Sequence, residues 1–324
     1  DYYLVDIGSG EKKLVLEEQQ HEVSLSPDGK MLAWYRDGNW FLMDAGSGKV
    51  RNLTKGMDVG FADEDWDYPA DVPGYGIAGW LDASQALMIY DKYDIWMFPS
   101  SGEGEAVCLS DGAGRNQGYR FRIRQLDREK EDFKTGEKLY LSAFNYQDKH
   151  TALYTMNAGK KGLKVLAEEK AKYSLLAKAR NVDKLLWTRE SYREFPDLRV
   201  SGPSLKKALK LSDVNPQVKD FAWGNASLVH WHSLDGKALQ GILITPEGPV
   251  PEGGFPVLVY YYRIFSNRLY SFNHVAVNHR PCFPYYASKG YAIFLPDIRF
   301  DVGTPGYSAT KCLVPGVQKL IDKG

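Results

Sequence analysis

The sequence predicts a mainly β chain that ends in an α/β segment, with residues 1–216 forming part of a β-propeller and residues 217–324 beginning a parallel α/β sheet. Two observations support this prediction. A short β-hairpin recurs through the first two thirds of the chain, and after residue 216 apolar strands alternate with helical segments. Recurring hairpins are typical of propeller blades, whereas strands that alternate with helices are typical of a parallel sheet.

The repeated hairpin consists of a short strand, a Gly/Ser turn and a second strand. Residues 3–15 read YLVDIGSGEKKLV, and residues 41–53 read FLMDAGSGKVRNL. Looser copies of this hairpin occupy residues 95–109, 153–166 and 198–211. Most copies follow a predicted strand pair joined by a polar turn, at residues 25–35, 80–90, 135–144 and 181–188.

Four short strands that recur every 40–55 residues or so have the spacing of propeller blades. One blade cannot bury both of its faces, so neighbouring copies are expected to stack. The pattern predicts about four blades plus part of another, with the chain opening inside a blade. A β-sandwich is the competing interpretation, but the strict repetition of the Gly/Ser turn favours blades.

The pattern of the chain changes after residue 216. Residues 228–232 and 238–245 are predicted to form a hairpin around the Asp235-Gly236 turn. Residues 256–262 (PVLVYYY) and 291–296 (YAIFLP) are predicted to be buried strands, separated by a helix that ends at Gly290. A last helix is indicated by apolar residues on one face, with Gly324 as its C-terminal cap; these residues are Leu313, Val314, Val317, Leu320 and Ile321.

The composition excludes several classes of function. Lys and Arg together number 41, as do Asp and Glu, so the net charge is zero and gives no general attraction to nucleic acid or to an anionic membrane. No apolar run approaches the roughly 18 residues of a transmembrane helix. Cys108, Cys282 and Cys312 are odd in number and lack zinc spacing, so buried or free thiols are expected rather than a Cys282–Cys312 disulfide. We predict no cofactor and no metal.

Two groups of side chains raise the question of a metal or amine site. His230 and His232 share one face of a predicted strand, but no third ligand is identifiable, so a structural pair is expected. An acidic segment contains the carboxylates of Asp63, Glu64, Asp65 and Asp67. Such a segment could bind calcium or the free amine of a substrate, but we expect it to be a solvated loop.

A basic stripe on one face of a predicted strand consists of Arg120, Arg122 and Arg124. Acidic residues follow it between positions 127 and 132. Local ion pairs are therefore predicted for this stripe rather than nucleic-acid binding.

The order of these segments resembles the prolyl oligopeptidase family of serine peptidases, especially its dipeptidyl-peptidase-like branch. The resemblance lies in a propeller followed by residues 233–246 (SLDGKALQGILITP), 256–262 and 287–299 (ASKGYAIFLPDIR). It implies that residues 217–324 are the N-terminal portion of an α/β-hydrolase domain. It also implies cleavage of short peptides by acyl transfer, in the periplasm or outside the cell.

The resemblance assigns a role to the end of the strand at 256–262. In the family a tyrosine there helps to form the oxyanion hole, and Tyr262 is the match, although Tyr260 and Tyr261 are adjacent. A preorganised phenol that donates to a developing oxyanion is a strong catalytic device. Arg263 and Arg299 follow the two parallel strands and are candidates to bind substrate, since ligands bind at the carboxyl ends of such strands.

The nucleophile of the family lies in a Gly-x-Ser-x-Gly turn, and this sequence contains none. Ser308 is the nearest candidate, and we interpret it as the N-cap of the last helix. The Ser/Asp/His triad is therefore expected beyond residue 324, so the chain by itself should be inactive. The open sheet edge within residues 256–296 is expected to allow self-association. The alternatives are a non-catalytic propeller scaffold with a degenerate hydrolase domain, and an esterase.

Overall fold

The structure is a computed structural model that describes residues 1–275 and 280–323. The chain is mainly β, and the described residues form five sheets and three α-helices. The C-cap glycine predicted at position 324 lies outside the described residues.

The first two sheets contain the two closest copies of the repeated hairpin. The first sheet pairs β1 with β2, and the second is an antiparallel meander in the order β3-β4-β5-β6. Their strands are β1 Tyr2–Val5, β2 Lys12–Leu16, β3 Val23–Leu25, β4 Met31–Arg36, β5 Asn39–Asp44 and β6 Val50–Asn52.

The repeated turns are the same at the level of single hydrogen bonds. The backbone N–H of Ser9 donates to Asp6 Oδ1 at 2.7 Å, and the N–H of Ser47 donates to Asp44 Oδ1 at 2.7 Å. Each turn closes through a glycine of positive φ, Gly10 in the first copy, whose N–H donates to Asp6 O at 2.8 Å. The Gly/Ser repeat of the sequence is therefore a structural repeat, because the Asp carboxylate and the left-handed glycine fix one turn geometry.

The next two sheets extend the same antiparallel pattern. The third sheet has the order β10-β9-β8-β7-β12, and the fourth follows β11-β13-β14-β16-β17-β18-β19, with β15 also paired to β14. The elements are β7 Ile77–Leu81, β8 Ala86–Tyr90, β9 Ile95–Pro99, β10 Val107–Cys108, α1 Ala113–Gln117, β11 Tyr119–Ile123, β12 Asp132–Phe133, β13 Lys138–Asn145, β14 Thr151–Asn157, β15 Lys164–Ala167, β16 Lys172–Lys178, β17 Leu185–Glu190, β18 Leu198–Ser201 and β19 Leu209–Lys210.

The fourth sheet consists of two antiparallel four-stranded units, β11-β13-β14-β15 and β16-β17-β18-β19. A single parallel pair, Thr151 with Lys172, joins the two units. The prediction that residues 135–144 contain a pair of strands is wrong. That segment is the one strand β13, which pairs with β11, whereas β12 leaves to pair in parallel with β7 of the third sheet.

Alternation along β8 shows how neighbouring sheets pack. Leu87 and Ile89 are fully buried against residues of the second sheet, and Met88 and Tyr90 are buried against β11, β13 and β14. Because successive side chains of a strand point to opposite faces, the third sheet is covered on both sides. A two-layer β-sandwich covers each of its sheets on one side, so the stacking differs from that alternative.

The C-terminal elements form a mixed four-stranded sheet in the order β20-β21-β23-β22. Strands β22 and β23 are parallel, and the other pairs are antiparallel. The elements are a 3₁₀ turn at Pro216–Asp220, β20 Asn225–His232, β21 Ala238–Thr245, β22 Val257–Val259, a 3₁₀ turn at Ser266–Arg268, α2 Phe283–Ser288, β23 Ala292–Pro296 and α3 Pro305–Ile321.

Helices cover this sheet on both faces. On β23, Ile293 and Leu295 pack in the same cluster as Ala287 of α2, whereas Phe294 packs with Trp231 and with Cys312 of α3. The predicted hairpin, the parallel strand pair and the final helix are confirmed. The strand predicted over residues 256–262 is shorter, because the chain turns across the end of β23 after residue 260. The prediction that it is buried is wrong, because β22 is the last strand in the sheet order and 45% of Val257 is exposed.

Lys311 of α3 fastens this helix to the β20–β21 turn. Its ammonium lies 2.7 Å from Asp235 Oδ2 and 2.5 Å from Asp301 Oδ2, although the Lys311 side chain is only 8% exposed. Hydrogen bonds from Lys311 and Ser233 lower the pKa of Asp235 to about 2.

We expect the free energy of unfolding to decrease as the pH falls from about 4 to about 2. The folded state holds Asp235 below its ordinary pKa of 3.8, so the unfolded state binds the proton more readily and stability rises with pH in this window. Lys311→Met should flatten this part of the profile, because the partner of Asp235 is lost. Urea unfolding across that pH range measures it, with the exposed Lys319→Met as the matched control. An unchanged slope in Lys311→Met would contradict the assignment.

Candidate functional site

Three consecutive tyrosines follow β22 at the carboxyl end of the parallel pair. Tyr260 is half-buried and packs against Phe265 and Phe283, with ring centroids 5.6 Å and 5.7 Å away. Tyr261 and Tyr262 are exposed, and 72% of Tyr262 is accessible. Among residues 1–275 and 280–323, no group hydrogen-bonds to the Tyr262 hydroxyl. Tyr262 therefore presents a phenol to solvent, whereas Tyr260 belongs to the core.

The segment that carries Tyr262 is held by the buried carboxylate of Asp297. Asp297 Oδ1 accepts the backbone N–H groups of Phe265 and Ser266 at 2.7 and 2.8 Å, and Oδ2 accepts the Ser266 hydroxyl at 2.5 Å. The N–H of Ile298 donates to Arg263 O at 2.8 Å, and the N–H of Tyr260 donates to Phe294 O at 3.0 Å. These bonds attach both sides of Tyr262 to the end of β23.

Burial raises the pKa of Asp297 above its ordinary value, and the hydrogen bonds from Ser266 and Phe265 oppose that rise. A buried carboxylate with three donors is a positioning device, because removing it would leave three polar groups without partners. In the sequence, Asp297 belongs to the PDIR segment that contributes to the family resemblance, but no role was predicted for it. A signal was present, since an Asp directly after a buried strand lies where the neighbouring loop needs an acceptor.

Arg263 and Arg299 both bind carboxylates of the acidic segment near residue 65. Arg263 forms an ion pair with Asp67 and stacks over the Tyr68 ring at 3.7 Å. Arg299 Nη1 lies 3.2 Å from Asp65 Oδ1. These two ion pairs therefore join the C-terminal sheet to the segment that connects β6 with β7. Their assignment to substrate binding stays a prediction.

The expected solvated loop at residues 63–67 is wrong, since three of its four carboxylates form ion pairs, and the fourth, Asp63, accepts the backbone N–H of Asp65. Beside the two arginine pairs, Lys92 Nζ lies 3.0 Å from Asp65 Oδ2, and Arg115 Nη2 lies 3.7 Å from Glu64 Oε1. The described residues include no group of three or more potential metal ligands. The cations come from elements distant in sequence, so the segment taken alone looked unpaired.

The histidine pair and the cysteines singled out in the sequence form neither a metal site nor a disulfide among the described residues. His230 and His232 share the exposed face of β20, and His230 Nε2 lies 3.1 Å from Gln240 Nε2. The three cysteines are free thiols, so no disulfide joins Cys282 to Cys312. No helix in the described ranges is both long enough and apolar enough to span a membrane.

Ser308 is not the N-cap of the last helix, which is a correction to the sequence interpretation. The cap position is Thr304, one residue before α3 begins at Pro305, and Ser308 lies inside the first turn. Its side chain is fully buried, and its hydroxyl accepts the N–H of Asp301 at 3.0 Å. The Pro residue at the first helical position moves the helix start towards the N-terminus.

The local ion pairs predicted for the basic stripe do not form. Arg120 contacts the rings of Phe144 and Tyr146, and Arg122 Nη1 donates to Phe121 O at 2.7 Å. Because β11 ends at Ile123, the acidic residues that follow lie beyond this strand. Two of them pair with other cations, Glu129 with Arg180 at 2.9 Å and Asp132 with Lys134 at 2.5 Å.

No protein-family model matches the chain, and no curated protein matches it. Solved peptidase structures share its fold. One is a protein from Bacteroides ovatus assigned as a dipeptidyl aminopeptidase IV, with a TM-score of 0.60, 15% identity and coverage of 98% of this chain and 49% of that chain. A second is a puromycin-hydrolyzing peptidase from Mycobacterium tuberculosis, with a TM-score of 0.57, 11% identity and coverage of 97% and 49%.

A third similar structure is the isopeptidase AtxE2, with a TM-score of 0.50, 13% identity and coverage of 99% of this chain and 55% of that chain. The chain therefore spans about half the length of these proteins. At these identities the similarity concerns the fold. The chain shares the fold of about half of each of these peptidases, in agreement with the resemblance of its sequence to the prolyl oligopeptidase family.

Proposed function

We propose that the chain is part of a serine peptidase that cleaves short peptides by acyl transfer. In this proposal residues 1–216 are a partial β-propeller and residues 217–324 are the N-terminal portion of an α/β-hydrolase domain. The stacking of the third sheet between two others supports the first assignment, since blades pack face to face. The β22-α2-β23-α3 succession with helices on both faces supports the second.

The single observation that carries the proposal is the geometry of Tyr262. Its phenol is exposed at the carboxyl end of a parallel strand, and Asp297 anchors the segment directly after it. An oxyanion donor must be free to bind substrate yet fixed in position before the reaction, because a preorganised donor needs no reorganisation in the transition state. Tyr262 would donate to the oxyanion of the tetrahedral intermediate as a serine attacks the scissile carbonyl.

We infer that the serine, aspartate and histidine of the triad belong to the part of the parent protein that this chain does not span. No Gly-x-Ser-x-Gly occurs among the 324 residues, and Ser308 is fully buried. The similar peptidases are about twice as long as the chain. Residues 1–324 alone are then inactive, and the propeller would exclude large folded substrates from the cleft.

The substrates, location and association of the protein are further parts of the proposal. Short peptides are the substrates, and the periplasm or the cell exterior is the location, both by analogy with the family. Strand β22 is the last strand in the sheet order, and 45% of Val257 on it is exposed. Such an edge can recruit another strand, so self-association through residues 256–296 stays a prediction.

We expect a serine-directed fluorophosphonate probe to label the full-length protein and to leave residues 1–324 unlabelled. The probe reacts with an activated serine, and the proposal locates that serine beyond residue 324. Mass spectrometry of the labelled peptide identifies the site, and heat-unfolded protein is the control for nonspecific labelling. Labelling at Ser308 would contradict the site assignment. An unlabelled full-length protein would favour the scaffold, and hydrolysis of esters but not peptides would favour an esterase.

A further inference from the structure

A cavity of about 680 Å³ lies between the fourth sheet and the C-terminal sheet. One wall comes from β11, β13, β14 and β16, and the opposite wall comes from residues 265–274 and 280–283 together with β21 and β23. Its volume is within the range of roughly 300–1,000 Å³ that is typical of small-ligand sites. Tyr262 is not among the residues that line this cavity.

The lining of this cavity is basic. It includes Arg120, Arg122, Lys172, Arg268 and Arg280, and its described lining residues include no Asp or Glu. Lys172 has a partner outside the cavity wall, because its Nζ lies 2.7 Å from the buried Glu190 Oε1. The positive charge considered below is that of Arg120, Arg122 and Arg268, on a chain whose net charge is zero.

Arg120 and Arg122 lie two residues apart on β11, so both point to the same face of the strand. Arg122 is held in place by the Tyr90 ring at 4.4 Å and by hydrogen bonds to backbone carbonyls, with Nη2 3.1 Å from Asp91 O. Burial lowers the pKa of Arg122, and the charge of Arg120 lowers it further. The two guanidiniums therefore add their positive charges on one face of β11.

Arg120 and Arg268 have no carboxylate partner among the described residues. Arg120 lies over the rings of Phe144 and Tyr146, 5.4 and 5.8 Å from their centroids, and Arg268 lies 5.7 Å from the Phe265 centroid. Contact with ring faces orients a guanidinium and leaves its N–H groups free to donate. Among the described residues, Arg120 and Arg268 are thus oriented donors on the cavity wall without an acidic side chain that would neutralise them.

We propose that this cavity binds a carboxylate of a peptide ligand, with Arg120 as the principal donor. A planar guanidinium donates two parallel hydrogen bonds to a carboxylate, which gives a strong and directional contact. The choice of a peptide rests on the proposed function, whereas the preference for a carboxylate rests on the charges of the cavity. The carboxylate comes either from an acidic side chain or from the C-terminus of the peptide.

Three blocked amino acids of nearly equal size test the proposal by calorimetric titration into the full-length protein. N-acetyl-glutamate amide carries only a side-chain carboxylate, N-acetyl-glutamine carries only an α-carboxylate, and N-acetyl-glutamine amide is neutral. We expect at least one acid to bind about tenfold or more tightly than the neutral compound, and the tighter acid identifies the source of the carboxylate. Equal affinity for all three would overturn the proposal.

Arg120→Gln should weaken binding of the preferred acid about tenfold and leave the neutral compound unchanged. Arg124→Gln is the matched control, because Arg124 belongs to the same stripe but does not line the cavity. Thermal unfolding checks that both variants fold. If either variant does not fold, the comparison of the three compounds on the unmodified protein still tests the proposal. An equal loss in the two variants would overturn the role of Arg120. The titration measures binding and needs no catalytic activity. It therefore tests the carboxylate site even if the fluorophosphonate probe fails to label the protein and the proposed peptidase function is wrong.

Discussion

If the proposed function holds, Tyr262→Phe should lower kcat of the full-length protein by about 10²–10³ and change KM little. The substitution removes one hydroxyl from an exposed ring, so it takes away a donor to the oxyanion without disturbing packing. An interaction made mainly in the transition state affects kcat rather than substrate binding. Steady-state kinetics on a chromogenic peptide amide measures the effect.

Tyr261→Phe is the matched control for this substitution, because Tyr261 is also exposed and is the immediate neighbour. Tyr260→Phe adds a second control, since the Tyr260 ring packs against Phe265 and Phe283 and the substitution keeps that packing. Both controls should keep kcat within about twofold of the unmodified protein. If either gave the large loss while Tyr262→Phe did not, the register of the donor along this segment would be wrong.

Asp297→Ala should destabilise the C-terminal sheet by about 3 kcal/mol and also reduce activity. The substitution leaves the N–H groups of Phe265 and Ser266 and the Ser266 hydroxyl without their acceptor in a buried position. Each stranded donor costs about 1–3 kcal/mol, and partial relaxation keeps the total below the sum. The loop that carries Tyr262 would lose its anchor, so kcat should fall although Tyr262 itself is intact.

Asp297→Asn tests this explanation against a general effect of mutation. The amide oxygen of Asn can accept the two backbone N–H groups, and its NH₂ can donate to the Ser266 oxygen, so most of the stability should return. Urea unfolding measures the stability, and hydrogen exchange over residues 260–268 reports the anchoring of the loop. Asp297→Ala with normal stability and normal exchange would show that Asp297 does not hold this segment.

The repeated hairpins were predictable because their signal is local. The turns at Asp6 and Asp44 are closed by a side chain and a glycine that lie within four residues of each other. The alternation of strands and helices after residue 216 is local in the same way, since β23 and α3 each follow a hydrophobic pattern of their own. Ser308 shows the limit, because the proline at the start of α3 shifts the helix by one turn relative to the predicted cap.

The candidate site was predictable only in part. The family resemblance singled out Tyr262, whereas Arg263 could be singled out because it follows a predicted strand and ligands bind at the carboxyl ends of parallel strands. The partner of Arg263 could not, because Asp67 lies almost two hundred residues earlier in the chain and joins it only when the sheets pack. The role of Asp297 depended in the same way on the turn of the neighbouring segment across the end of β23.

The sequence by itself determined the recurring hairpins, the parallel strand pair and the absence of a Gly-x-Ser-x-Gly nucleophile, since each depends on residues close together in the chain. Only the tertiary structure decided which charges are paired. The acidic segment at 63–67 binds distant cations, whereas Arg120 faces a basic cavity. Charge pairing depends on distances across packed sheets, because Coulomb energy falls with separation in space and not along the chain.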